Sequence, residues 1–174
     1  MTYRVLMVCT GNICRSPMAE YILREALEEE GLDGRVEVDS RGTTSWEEGE
    51  PIDPRAGSLL RARGIDTSDH RAHHMTREDL RDSDLILALD TDHVGPLHRT
   101  VGSARDRVHL IGEFDPEAGD DLGIRDPWYG DESDFEEAAR RIDAAVPGII
   151  DHVRSELDGG AGEGNDPGDG ETRR

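Results

Sequence analysis

Apolar and polar positions along this chain switch between two periods. Tyr3 to Val8 is a short, nearly continuous apolar run, the pattern of a strand buried on both faces, and after it Met18, Ala19, Ile22, Leu23, Ala26 and Leu27 recur at helical spacing until Gly31 supplies a stop. The same reading predicts strand 3–8, helix 16–30, strand 35–40, helix 54–63, a helical stretch around 76–82, strands 84–90 and 107–112, and a helix over 133–156. Strands alternating with helices imply an α/β fold, with a parallel sheet covered on both faces and a ligand at the carboxyl ends of its strands. A chain of 174 residues without internal repeats suits one domain. From Asp158 onward the composition falls to Gly, Asp, Glu, Asn and Pro, with no apolar residue past Ala161, so the domain is predicted over 1–157 and a disordered acidic tail over 158–174.

Between the first strand and the first helix lies Cys9-Thr10-Gly11-Asn12-Ile13-Cys14-Arg15-Ser16-Pro17. A loop that opens a helix offers unpaired N–H groups and the positive end of the dipole to an anion; Gly11 lets the backbone curl and Arg15 adds a planar fork suited to phosphate. Cysteines at helix N-termini beside cations ionise well below the usual value of about 8.5, which makes Cys9 a candidate nucleophile. The bland alternative is a small buried residue ending a strand beside a surface arginine. A Walker loop is excluded, because the chain has no lysine at all, and no G-x-G-x-x-G marks a dinucleotide site. Asn12 is a candidate for a left-handed backbone. Ser16 also reads as a helix N-cap with Pro17 at the first helical position.

The Cys9 to Pro17 stretch resembles the signature of the low-molecular-weight protein tyrosine phosphatases. Asp126-Pro127-Trp128-Tyr129-Gly130 resembles that family's second motif, an Asp-Pro followed by two aromatics and glycine. The likeness runs over about residues 3–157, including Asp39-Ser40, His70 and the 85–90 strand. It implies a flavodoxin-like four-stranded sheet in order 2-1-3-4. It further implies hydrolysis of protein phosphotyrosine without metal or cofactor: Cys9 attacks phosphorus, residues 10–15 (Thr10, Gly11, Asn12, Ile13, Cys14, Arg15) hold the phosphate oxygens, and Asp126 is general acid and then general base. An acid kept protonated near neutrality is expected to be partly desolvated, here by Pro127, Trp128 and Tyr129. By the same resemblance Asn12, Ser16, Ser40 and His70 support the loop, with Ser16 steadying the Cys9 sulfur. His73 stands where the family usually has arginine. His70, His73 and His74 also admit a metal reading, although no nearby cysteine or regular carboxylate spacing completes a ligand set.

Several oxyanion chemistries share this scaffold. Thioredoxin-linked arsenate reductases need two further cysteines downstream, which this chain lacks, whereas an arsenate-transferring relative using an external thiol needs only Cys9. Protein-arginine phosphatases resemble the loop closely, but they carry threonine where Ile13 stands and lack the aromatic pair. Ile13 has no hydroxyl for a guanidinium, while Trp128 and Tyr129, with Trp46 opposite, can wall a slot for a phenyl ring, which favours phosphotyrosine. A phosphate sensor without turnover is the alternative from another class, and it has no need of Cys9 and Asp126 together. Cys14 is either a redox guard for Cys9 or packing beneath the loop.

Forty acidic against twenty basic residues leave a net charge of −20, a surface that repels nucleic acid and anionic membranes. Acidic enrichment without lysine suits a protein kept soluble at high salt, where repulsion is screened within about 3 Å at 1 M. No signal peptide or long apolar run is apparent, and both cysteines lie in the site motif, so a cytoplasmic location is expected.

Overall fold

The computed structural model describes residues 1–161. Four parallel strands, β1 (Tyr3–Cys9), β2 (Val36–Gly42), β3 (Leu85–Ala88) and β4 (Val108–Leu110), form one sheet in the order β2-β1-β3-β4. This is the flavodoxin-like α/β arrangement, in the order expected from the sequence. Five helices accompany it: α1 (Arg15–Glu29), α2 (Pro54–Ala62), α3 (Arg77–Arg81), α4 (Val94–Val101) and α5 (Glu132–Ala161).

β1 is central, and its alternation divides the core. Val5, Met7 and Cys9 point to the face packed by α1 and α5, through Met18, Leu23, Ile142 and Ile149, whereas Leu6 and Val8 point to the opposite face, with Leu80 of α3 and Leu97 of α4. Buried on both sides, the strand reads as the continuous apolar run seen in the sequence. Cys9 is its last residue, so its side chain emerges at the carboxyl edge of the sheet, on the α1 face.

Several elements differ from the sequence expectation, β3 among them, which stops at Ala88 rather than 90. α4 is not among the predicted elements: Gly95 and Pro96 obscure it, but both fall in the first helical turn, where proline is tolerated, and Leu97 anchors the helix in the core. β4 is shorter than the predicted 107–112, because Ile111–Phe114 tightens into a 3-10 turn. α5 continues to Ala161, past the predicted domain boundary at 157, since extending a formed helix adds one hydrogen bond per residue fixed. The remainder of the predicted tail, 162–174, lies outside the described residues. Among the described residues no helix is long and apolar enough to cross a membrane.

Candidate active site

Residues 9–15 wrap the N-terminus of α1. Asn12 adopts φ +61°, the left-handed conformation that turns the loop inward, and it is completely buried. It uses all its polar groups: the backbone N–H donates to Cys9 Sγ at 3.3 Å, the side-chain Nδ2 donates to Ser16 Oγ (2.8 Å) and Ser40 Oγ (2.9 Å), Oδ1 accepts from the His73 amide (3.0 Å), and the carbonyl accepts from His70 Nε2 (2.8 Å). Because Ser16 and Ser40 both accept from Asn12, their own hydrogens point elsewhere, Ser16's toward Cys9 Sγ at 2.9 Å and Ser40's toward Glu20 Oε1 at 2.6 Å. Asn12 thus donates in two directions, to the Ser40 hydroxyl that meets the buried Glu20 carboxyl and to the Ser16 hydroxyl that meets the Cys9 sulfur.

Glu20 is 3% exposed, and burial pushes its carboxyl up to about 7 against the opposing pull of Arg24 and the Ser40 hydroxyl. His70 is held below the usual imidazole range, chiefly by burial. On the other side of the loop, His93 is pushed down to about 3 by burial and by the charge of Arg15. Its Nδ1 accepts from the Asp90 amide at 3.0 Å, so the proton of the neutral ring resides on Nε2 and is donated to Thr10 Oγ1 at 2.9 Å. The end of β2 closes against the loop as well: Thr43 and Thr44 donate to the carbonyls of Cys9 and Thr10, and a Cβ at Gly42 would lie 2.7 Å from the Thr10 carbonyl oxygen.

Arg15 is 5% exposed and fixed along one edge, where Nη1 donates to the Ile124 carbonyl at 3.0 Å and lies 3.4 Å from Asp90. Its Nη2 faces the other way, 3.5 Å from Asp126. Asp126 caps a 3-10 turn by accepting from the Trp128 amide at 3.0 Å, and its side chain is 36% exposed. Cys9, the loop, Arg15, Asp126, Trp46, Trp128 and Tyr129 line one cleft of about 230 Å³. Of the residues singled out in the sequence, Asn12, Ser16, Ser40 and His70 do not line this cleft; they join it through the hydrogen bonds of Asn12.

Particulars differ. Ser16 is not the N-cap, because α1 begins at Arg15 with Cys14 in the cap position and the Ser16 hydroxyl is spent on Cys9 and Asn12. The direct contacts of Asp126 are Arg15 and the Trp128 amide; of the three residues expected to desolvate it, only Pro127 is buried, while Trp128 and Tyr129 pack edge to face on each other at 4.8 Å. The three histidines part company, His70 on Asn12, His73 on Glu48 and His74 on the Thr43 carbonyl, and the described residues contain no metal-binding cluster. Cys9 and Cys14 are both free and buried, and burial, then Asp53, Cys9 and Asp126, push the Cys14 thiol up. Sequence reasoning missed Glu20, His93 and Glu47, which joins the cleft wall.

Fold and cleft together define a class, an α/β protein that presents a cysteine, an arginine and a carboxyl around an oxyanion-sized seat at a helix N-terminus. The sequence profile described as "Low molecular weight phosphotyrosine protein phosphatase" matches residues 4–158. A low molecular weight protein-tyrosine-phosphatase from Streptomyces coelicolor is 44% identical over 164 residues, 92% of this chain and 99% of the relative. Low molecular weight protein-tyrosine phosphatase A of Mycobacterium tuberculosis is 46% identical over 154 residues, covering 88% and 93%. The crystal structure of a protein tyrosine phosphatase from Entamoeba histolytica, with Hepes in its active site, superposes with a TM-score of 0.84 at 26% identity, covering 90% of this chain and 99% of that one. The chain belongs to the low molecular weight phosphotyrosine protein phosphatase family, and it is a phosphatase.

Proposed function

We propose that this enzyme hydrolyses protein phosphotyrosine through a phosphocysteine intermediate, with Cys9 as nucleophile and Asp126 as general acid and base. The observation that carries the proposal is the convergence on one cleft of a sulfur that accepts hydrogen bonds from Ser16 and Asn12, the free edge of Arg15, and the carboxyl of Asp126. The names of the relatives support phosphotyrosine as substrate, as does the aromatic wall of Trp46, Trp128 and Tyr129.

The phosphate dianion of the substrate seats among the amides of the loop, residues 10–15, at the N-terminus of α1, and it takes the Nη2 edge of Arg15 from Asp126. The Asp126 carboxyl then meets the leaving oxygen instead of the guanidinium. Sulfur attacks in line: the S–P bond forms, the P–O bond to the ring breaks, and the Asp126 proton passes to the departing phenoxide. Water attacks phosphorus next, giving its proton to the Asp126 carboxylate as the S–P bond breaks, and the thiolate leaves onto the Ser16 hydroxyl and Asn12 amide. Arg15 and the loop dipoles are fixed in advance, so the charge of the transition state is met without reorganisation.

Release of p-nitrophenol from its phosphate ester in the presence of a chelator tests the chemistry, and side-by-side assays on phosphotyrosine and phosphoarginine peptides and on arsenate test the substrate. We expect hydrolysis without added metal and preference for phosphotyrosine; binding of phosphate with no aryl ester cleaved contradicts the proposal. The net charge of −20 without lysine supports a surface suited to high salt. A higher melting temperature in molar KCl than at low salt is expected, and an equal or lower one contradicts that adaptation.

A further inference from the structure

We propose that Asp53 and Arg55 form a strut holding the acid loop at a fixed reach from the nucleophile loop, so that Arg55 is a positioning residue for proton delivery by Asp126; this rests on the catalytic roles proposed above.

The strut begins on the nucleophile loop, where the Asp53 amide donates to the Ile13 carbonyl at 2.9 Å. The Asp53 carboxylate, 7% exposed, caps α2 by accepting from the Arg55 amide at 2.8 Å. It also grips the Arg55 guanidinium at two points, Nε to Oδ1 at 3.1 Å and Nη2 to Oδ2 at 3.0 Å. Burial alone raises the Asp53 carboxyl, but hydrogen bonds from Arg55 outweigh it and hold the group below the usual carboxylate range. The guanidinium lies over the ring of Phe135 in α5, with Cζ 4.5 Å from the centroid.

Fixed in this way, Arg55 turns its remaining hydrogens on the acid loop. Nη1 donates to the carbonyls of Trp128 (3.3 Å) and Gly130 (3.4 Å), and Nη2 to that of Trp128 (3.3 Å). The Trp128 and Gly130 amides are satisfied inside the loop, by Asp126 and Pro127. Among the described residues, every hydrogen bond of 128–130 that leaves the loop therefore ends on Arg55. Only a planar fork reaches a carboxylate and two carbonyls together; a lysine at this position keeps the charge and loses the geometry.

Proton donation matters most when the leaving phenol is a weak acid, so a displaced acid loop has a signature that general damage lacks. The test compares wild type, Arg55→Gln, Arg55→Lys and Asp126→Ala on aryl phosphates whose phenols range from strongly to weakly acidic. It reads kcat/KM, which covers all steps through departure of the phenol. For weakly acidic phenols Arg55→Gln is expected to lose about tenfold or more, a share of the ~10²–10⁴ that general acids supply, while strongly acidic phenols change by less than about twofold, with Arg55→Lys between. An equal loss across the series, or none, overturns the strut. Should Arg55→Gln not fold, Arg55→Lys carries the test, with the same graded loss expected and the same flat profile overturning it. A flat profile for Asp126→Ala instead overturns the acid assignment itself, which keeps the two failures distinct.

Discussion

The two loops that meet across the cleft are built in opposite ways. In the nucleophile loop Asn12 has no unspent polar group, Cys9, Asn12, Arg15 and Ser16 are all buried, and two other segments reach in, one through the His70 ring and the His73 amide, the other through the His93 ring. In the acid loop Tyr129 is 84% exposed and Trp128 48%, and the hydrogen bonds that tie 128–130 to the rest of the described protein come from one arginine. On the function proposed above, the difference follows the substrate. The phosphoryl group is the same in every phosphoprotein and is served by a fixed array of donors, which stabilises charge without rearrangement. The ring and the polypeptide beyond it vary, and they meet side chains at the surface.

If the contrast holds, substitutions in the first loop act on both fold and chemistry, whereas those in the second act on chemistry alone. Cys9→Ser is expected to reduce turnover of aryl phosphates to the uncatalysed rate while leaving phosphate binding in place, since Asn12, Ser16 and Arg15 remain; measurable turnover breaks the nucleophile assignment. Asp126→Ala is expected to cost about 10²–10⁴ in kcat with little change in melting temperature. Asn12→Ala leaves the His73 amide without its acceptor and takes a donor from each of Ser16 and Ser40, so denaturant titration should show a loss on the order of 1–3 kcal/mol, the cost of one stranded polar group. A change within about 0.5 kcal/mol, typical of surface sites, removes the contrast.

Glu20→Gln sharpens it further. A carboxyl raised to about 7 from 4.5 binds its proton more tightly folded than unfolded, so its contribution to stability is highest below pH 4.5 and falls as pH rises toward 7. The stability of wild type minus that of Glu20→Gln should therefore decline across that window by on the order of 2–3 kcal/mol, and a difference independent of pH contradicts the burial argument. The smallest effect is expected at Trp46, which is 80% exposed on the cleft wall. Trp46→Ala should raise KM for phosphotyrosine peptides a few-fold with kcat unchanged, the mark of binding shared by ground and transition states.

Legibility in the sequence tracks how local each feature is. β1, its loop and α1 are contiguous, so the apolar run, Gly11, the Cys9 to Pro17 motif and the helical period all lie within one short window. Strand order and the partnership of the loop with Asp126, Ser40 and His70 came through family resemblance, since no periodicity links residues so far apart. Glu20 looks like one more polar position on an amphipathic helix, and only the fold reveals that Ser40 lies against it. His93 carried no signal, because the helix it precedes was masked by Gly95-Pro96. Asp53-Pro54-Arg55 reads locally as a helix start, and that is half its role: the cap is local, while the contact with Trp128 and Gly130 requires the acid loop to return beside α2.

The central claim, that every substrate passes through the same phosphocysteine on Cys9, is tested most directly by partitioning. Turnover of several aryl phosphates in the presence of a small alcohol yields both inorganic phosphate and the phosphorylated alcohol. A common intermediate predicts one product ratio for all esters, whatever their leaving group, and a ratio that changes with the leaving group would contradict it.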